Sequence, residues 1–117
     1  MLERQNGTNQ RVVIAITTFA DIDAAGQFGA QLIEAQLVAC VNLVPGVESI
    51  YRWKGKVEKE PEVIAVMKTT ETRLEELQAW VQEKHPYDEP EFLVLPVEAG
   101  ASGYLGWARE NVGREES

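Results

Sequence analysis

Apolar residues fall along this chain in two rhythms, one of period two and one of three to four, and their alternation outlines the fold. Arg11 to Phe19 contains the run Val12-Val13-Ile14-Ala15-Ile16-Thr17-Thr18 and predicts a strand. Asp21 offers a helix N-cap, after which Ala24, Ala25, Phe28, Leu32, Ile33 and Leu37 recur at helical steps. That spacing predicts an amphipathic helix over Ile22 to Leu37. Cys40 to Trp53 predicts a long strand bent at Pro45-Gly46. Lys54-Gly55 marks a tight turn, and Lys56 to Thr69 is the returning strand of the hairpin, with Pro61 in its outer part. Thr72 and Glu75 have capping-box spacing, and Leu74, Leu77 and Val81 line one face of a second helix that Pro86 ends. Phe92 to Val97 predicts a fourth strand, and Tyr104, Leu105 and Ala108 a short terminal helix.

The resulting order, β-α-β-β-α-β with a trailing helix, is the α+β arrangement called ferredoxin-like. Its crossovers place both main helices on one face of a four-stranded antiparallel sheet. Yet Val12 to Ile16, Val63 to Met67 and Leu93 to Val97 are apolar at nearly every position, the pattern of strands buried on both faces. Two helices cover one face only. A second copy of the chain is the expected cover for the other, with the C-terminal segment folding back as a partial alternative. Residues 11–112 form the expected domain. The polar stretches 1–10 and 113–117 read as flexible tails.

Composition narrows the function classes. The 117 residues are 44% hydrophobic and 26% charged, the balance of one globular domain. A formal net charge of −8 argues against nucleic acid or an anionic membrane as partner and leaves cations as plausible ligands. The single cysteine, Cys40, allows no intrachain disulfide. With no signal-like start and no 18-residue apolar run, the expected location is cytoplasmic. One histidine and one cysteine build no nucleophile with a paired base, and there is no Gly-rich phosphate loop, so an enzyme is not expected.

Five stretches in order resemble the CutA family of divalent-cation tolerance proteins. They are Ala39-Cys40-Val41-Asn42, Tyr51-Arg52-Trp53-Lys54-Gly55-Lys56, Met67-Lys68-Thr69-Thr70, His85-Pro86-Tyr87-Asp88-Glu89-Pro90-Glu91 and Leu93-Val94-Leu95-Pro96-Val97. The resemblance covers roughly residues 11 to 112. It implies a ferredoxin-like fold, a homotrimer with an architecture similar to the PII signalling proteins, and clefts between subunits. It also implies copper-type tolerance, with a divalent cation such as Cu or Zn as ligand and no required cofactor. The chain departs from the family's copper pattern: Thr17 stands where that pattern has a cysteine, and Lys84 where it has the first histidine of a pair.

The candidate metal residues are therefore His85 and Cys40, each with a plainer reading. His85 also suits a helix end, with its ring on the last carbonyls, and Cys40 suits simple burial as a small hydrophobe. The candidate ligand-binding residues are Trp53, Lys68, Tyr87 and Glu91. Lys68 shares a strand face with Ile64 and Val66, so its stem lies on apolar surface. Its ammonium either snorkels to the edge or serves a pocket, there binding an anion or neutralising Glu62 or Glu91. Trp53 and Tyr51 share a face, read as core or interface or as a ligand-stacking surface. The first functional reading is a homotrimer binding a divalent cation or small ligand in its clefts. The alternatives are a PII-like regulator binding a small anionic metabolite through Lys68, or a structural scaffold.

Overall fold

The computed structural model describes residues 1–6 and 10–113. In chain order the elements are β1 (Leu2–Arg4), β2 (Val12–Phe19), α1 (Ile22–Glu34), β3 (Cys40–Trp53), β4 (Lys56–Thr70), α2 (Leu74–Lys84), β5 (Leu93–Pro96), β6 (Ala99–Ala101) and α3 (Ser102–Glu110). A 3-10 turn, Glu71–Arg73, leads into α2. The main sheet runs β3-β4-β2-β5 with every neighbour antiparallel, which is the ferredoxin-like order.

Strand parity divides the sheet into two faces. Ala15, Phe19, Val63, Ala65 and Met67 point toward the helices and pack with Ala25, Phe28 and Leu32 of α1 and Leu77 and Val81 of α2 in one core. Asp21 caps α1, its Oδ1 accepting from the Ala24 N–H at 2.8 Å. The helix stops at Glu34, three residues short of the sequence expectation, because Gln36 takes a left-handed φ of 59°. That turn lets the Leu37 N–H donate back to the Leu32 carbonyl and drives Leu37 into the core. The Thr72–Glu75 capping box is not formed. Neither the 3-10 turn nor α2 has a side-chain cap, and the Thr72 hydroxyl pairs with that of Thr70 instead.

The opposite face is covered at one end only. Leu105 and Ala108 of α3, with Val112, pack on Val12 and Ala39 in a second small core. Beyond that cover, Leu93 and Leu95 stand opposite Ile16 and Ile14 with 57% and 46% of their surfaces exposed.

The β3–β4 hairpin closes with a two-residue turn in which Lys54 (φ 50°) and Gly55 (φ 80°) are both left-handed, matching the twist of the strands. A register shift between Val44 and Val47, with Gly46 at φ 75°, marks the bulge expected at Pro45-Gly46.

The N-terminal stretch is not simply a tail. Leu2–Arg4 pairs with Ala99–Ala101, and the Gln5 side chain donates to the Val12 and Val97 carbonyls while accepting from the Val12 N–H. Arg109 of α3 holds Glu3 at 2.7 Å and also donates to Gln5. Polar Gln and Glu side chains here satisfy backbone groups and a guanidinium, a use that hydropathy does not reveal. Residues 7–9 of the expected N-terminal tail and 114–117 of the C-terminal one lie outside the described residues.

Candidate functional site

The outer half of the hairpin curls beside the segment that follows α2, and a cleft of about 1070 Å³ opens between them. From β3 come Ser49, Tyr51 and Trp53; register places Ser49 opposite Glu60 and Tyr51 opposite Glu58. Glu58, Glu60 and Glu62 alternate along β4 and so share one side of the strand. The facing wall is Tyr87, Asp88, Glu89 and Glu91. The result is a cleft lined by aromatic rings and carboxylates, with Tyr51 and Trp53 on the edge strand beside the glutamate row of β4 and no Lys or Arg among the lining residues.

Tyr87 ties the walls together. Its hydroxyl donates to Glu62 Oε2 at 3.2 Å. Burial, then the charge of Glu62 and this hydrogen bond, push its phenol up to about 12. Tyr51 is raised as well, by loss of solvent first and then by Glu60, Glu58 and Glu62. Both shifts record a site hostile to added negative charge. Trp53 remains 60% exposed at the mouth, with the Lys54 ammonium over its ring at 5.9 Å from the centroid.

His85 holds the wall in place. It is 6% exposed and its ring stacks on Phe19 at 4.5 Å, with Tyr87 tilted against it at 4.7 Å. Nδ1 accepts the Tyr87 N–H at 3.0 Å, so Nε2 carries the proton and donates to the Thr18 carbonyl at 2.6 Å. Both nitrogens are used, and the neutral ring has no lone pair free for a metal.

Within one chain the two candidate metal residues, His85 and Cys40, stand apart. Cys40 stands opposite Lys68, whereas Thr18, which binds His85, stands opposite Ile64, four residues and about 14 Å along β4. Lys68 is separated from the other candidates for the same reason. It lies six residues, about 20 Å, from Glu62, too far to neutralise that carboxylate. Its Nζ donates to Asn42 Oδ1 at 2.5 Å, which also accepts from Cys40 Sγ, and it rests over the Tyr104 ring. Of the four proposed ligand-binding residues, the cleft unites Trp53, Tyr87 and Glu91. Glu58 and Glu60 were missed, although their period-two spacing with Glu62 is visible in the sequence.

The family model described as CutA1 divalent ion tolerance protein matches residues 13–111 of the chain. The chain belongs to the CutA family. The divalent-cation tolerance protein CutA of Thermus thermophilus is 40% identical over 100 residues, covering 86% of this chain and 97% of its own length. The CutA structure from Synechococcus elongatus PCC7942 superposes with a TM-score of 0.89 at 34% identity, covering 97% of this chain and 96% of that one. The same protein complexed with a Bis-Tris molecule gives 0.85 at 34% identity, with coverages of 96% and 100%.

Within this CutA chain, the residues at the family's copper-linked positions do not fit a copper ion. Thr17 is fully buried and its hydroxyl has no hydrogen-bond partner among the described residues. Lys84 points its ammonium over the Trp80 ring at 5.0 Å. A hydroxyl, an ammonium and a fully bonded imidazole make a poor donor set for Cu(II). Among the described residues, no group of three His, Cys, Asp or Glu is gathered as a metal site requires. No helix among them is long and apolar enough to cross a membrane.

Proposed function

We propose that this CutA chain is a self-associating binding protein that takes a small cation into the cleft between its hairpin and the His85–Glu91 segment. The observation that carries the reading is the meeting of two family-like stretches, Tyr51–Lys56 and His85–Glu91, around one acidic and aromatic cleft. The homotrimer and its inter-subunit clefts belong to this proposal, supported by the open apolar face carrying Leu93 and Leu95. Cu(II) and Zn(II) are candidate ligands because the relatives are named for divalent-cation tolerance. The Synechococcus relative, described as complexed with Bis-Tris, adds a hydroxylated amine to the candidate chemistry. A small anion is disfavoured, because the charged residues lining the cleft are all carboxylates, Lys54 approaches only the Trp53 ring at its mouth, and Lys68 lies elsewhere, engaged by Asn42.

Calorimetric titration with Cu(II), Zn(II) and protonated Bis-Tris tests the reading. Saturable heat from at least one, weakened in Glu62→Gln, is the expected result. No saturable heat from any of the three overturns it.

A further inference from the structure

The cleft is much larger than a metal ion needs. A volume of about 1070 Å³ lies at the upper end of the range for small-molecule pockets. A bare divalent ion instead requires several oxygens within about 2.6 Å of one point. The carboxylates are arranged differently. Successive members of Glu58, Glu60 and Glu62 have backbones about 7 Å apart along β4, and the acids of the other wall stand across the cleft. Negative charge is spread over a surface instead of being focused on a centre. Beside these carboxylates the cleft is lined by Tyr51, Trp53 and Tyr87, whose ring faces offer nothing to a tightly hydrated ion. They offer a good deal to a cation that carries its own hydrocarbon, because the ring quadrupole attracts the charge while the carbons shed water. Within the chain one ammonium, that of Lys54, already lies over the Trp53 ring.

We infer that the cleft selects an organic ammonium ion, its alkyl-bearing nitrogen over Trp53 and Tyr51 and its charge balanced by Glu58, Glu60 and Glu62. The inference rests on the proposed reading of the cleft as a cation site and names the class of cation. Rings supply the surface for the carbon groups, the carboxylates supply long-range attraction, and the Tyr87–Glu62 hydrogen bond fixes the far wall. Lys54 is an internal competitor for the same indole face.

The test uses the full chain and tetramethylammonium chloride, with sodium chloride at matched ionic strength as control. Binding is followed by calorimetry and by the indole N–H resonance of Trp53. The expected result is saturable binding that shifts Trp53, on the order of tenfold weaker in Trp53→Leu. Binding should also weaken in Glu60→Gln, a conservative change at an exposed position that keeps the test valid if Trp53→Leu misfolds. Lys54→Asn removes the competing ammonium, suits the left-handed turn, and should bind more tightly. Saturable Zn(II) or Cu(II) binding with no tetramethylammonium binding overturns the inference and leaves the cation reading standing. Saturable binding of neither class overturns both.

Discussion

His85 shows how a residue type suggestive of metal chemistry can be committed to structure. Its two ring nitrogens bridge the end of β2 to the cleft wall, and the ring fills the space between Phe19 and Tyr87. In His85→Asn the shorter side chain loses the bond to the Thr18 carbonyl and much of the stacking. The variant should be about 1–3 kcal/mol less stable by urea unfolding, the cost of leaving a buried acceptor unpaired. Binding of cations should weaken far less than stability does. Tyr87 gives a second prediction with a defined pH window. Its phenol is raised from 10.0 to about 12 in the folded chain, so the folded state holds the proton longer than the unfolded state. The stabilisation is fully present below pH 10 and is lost as pH rises through about 12. Urea midpoints measured across that range should fall more steeply for the parent than for Tyr87→Phe. Parallel slopes would show that the hydroxyl does not carry the effect. The histidine was legible as a site from its rarity alone; its role was not, since both partners are backbone groups brought close by tertiary folding.

At the scale of elements, local chemistry succeeded where the backbone itself demands a residue type. Trp53 ends β3 and Lys56 begins β4 as read, because Lys54-Gly55 supplies the two left-handed positions a two-residue hairpin turn needs. Gly55→Ala should therefore destabilise the fold by about 1–2 kcal/mol through its φ of 80° alone, since a Cβ there meets nothing within 4 Å. Thermal denaturation checks this, and an unchanged midpoint would reject it. The two helix starts separate a cap that forms from one that does not. Asp21→Ala removes a formed N-cap bond and should cost about 1 kcal/mol. Thr72→Ala loses only a partly buried hydroxyl pair and should cost about 0.5 kcal/mol or less. Equal losses would mean that Thr72 acts as the cap its spacing with Glu75 suggests. The spacing misled because the chain enters α2 through the 3-10 turn, which consumes the residues a capping box would use. The β1–β6 pair escaped notice for a different reason: Leu-Glu-Arg and Ala-Gly-Ala are too short to show a period.

At the scale of the whole molecule, one pattern was legible from the first β-branched run. Strands apolar on both faces need two covers, and the chain supplies one and a fraction. The α1 and α2 helices cover the first face, while α3 reaches only Val12 and Ala39 on the second. The cleft was only half legible, because its two walls are remote in sequence and no local pattern reports their approach. Within one chain Lys68 lies apart from the cleft, because parity gives the face of a strand and not the distance along it. The remaining open surface sets the last prediction. Leu93 and Leu95 project beside Ile16 and Ile14, and covering the exposed half of each leucine contributes about 1 kcal/mol per side chain in every interface that buries it. Ile64 and Val66 extend the same apolar face, and a second copy is its expected cover, so the chain should sediment as an oligomer at micromolar concentration. Leu95→Lys places an ammonium on that face without touching the helix-side core, whose members lie on the other strand parity. It should shift the sedimentation coefficient to that of a single chain while the far-UV spectrum stays folded. An oligomer of unchanged size in Leu95→Lys would mean that copies meet elsewhere and that this face is not the interface.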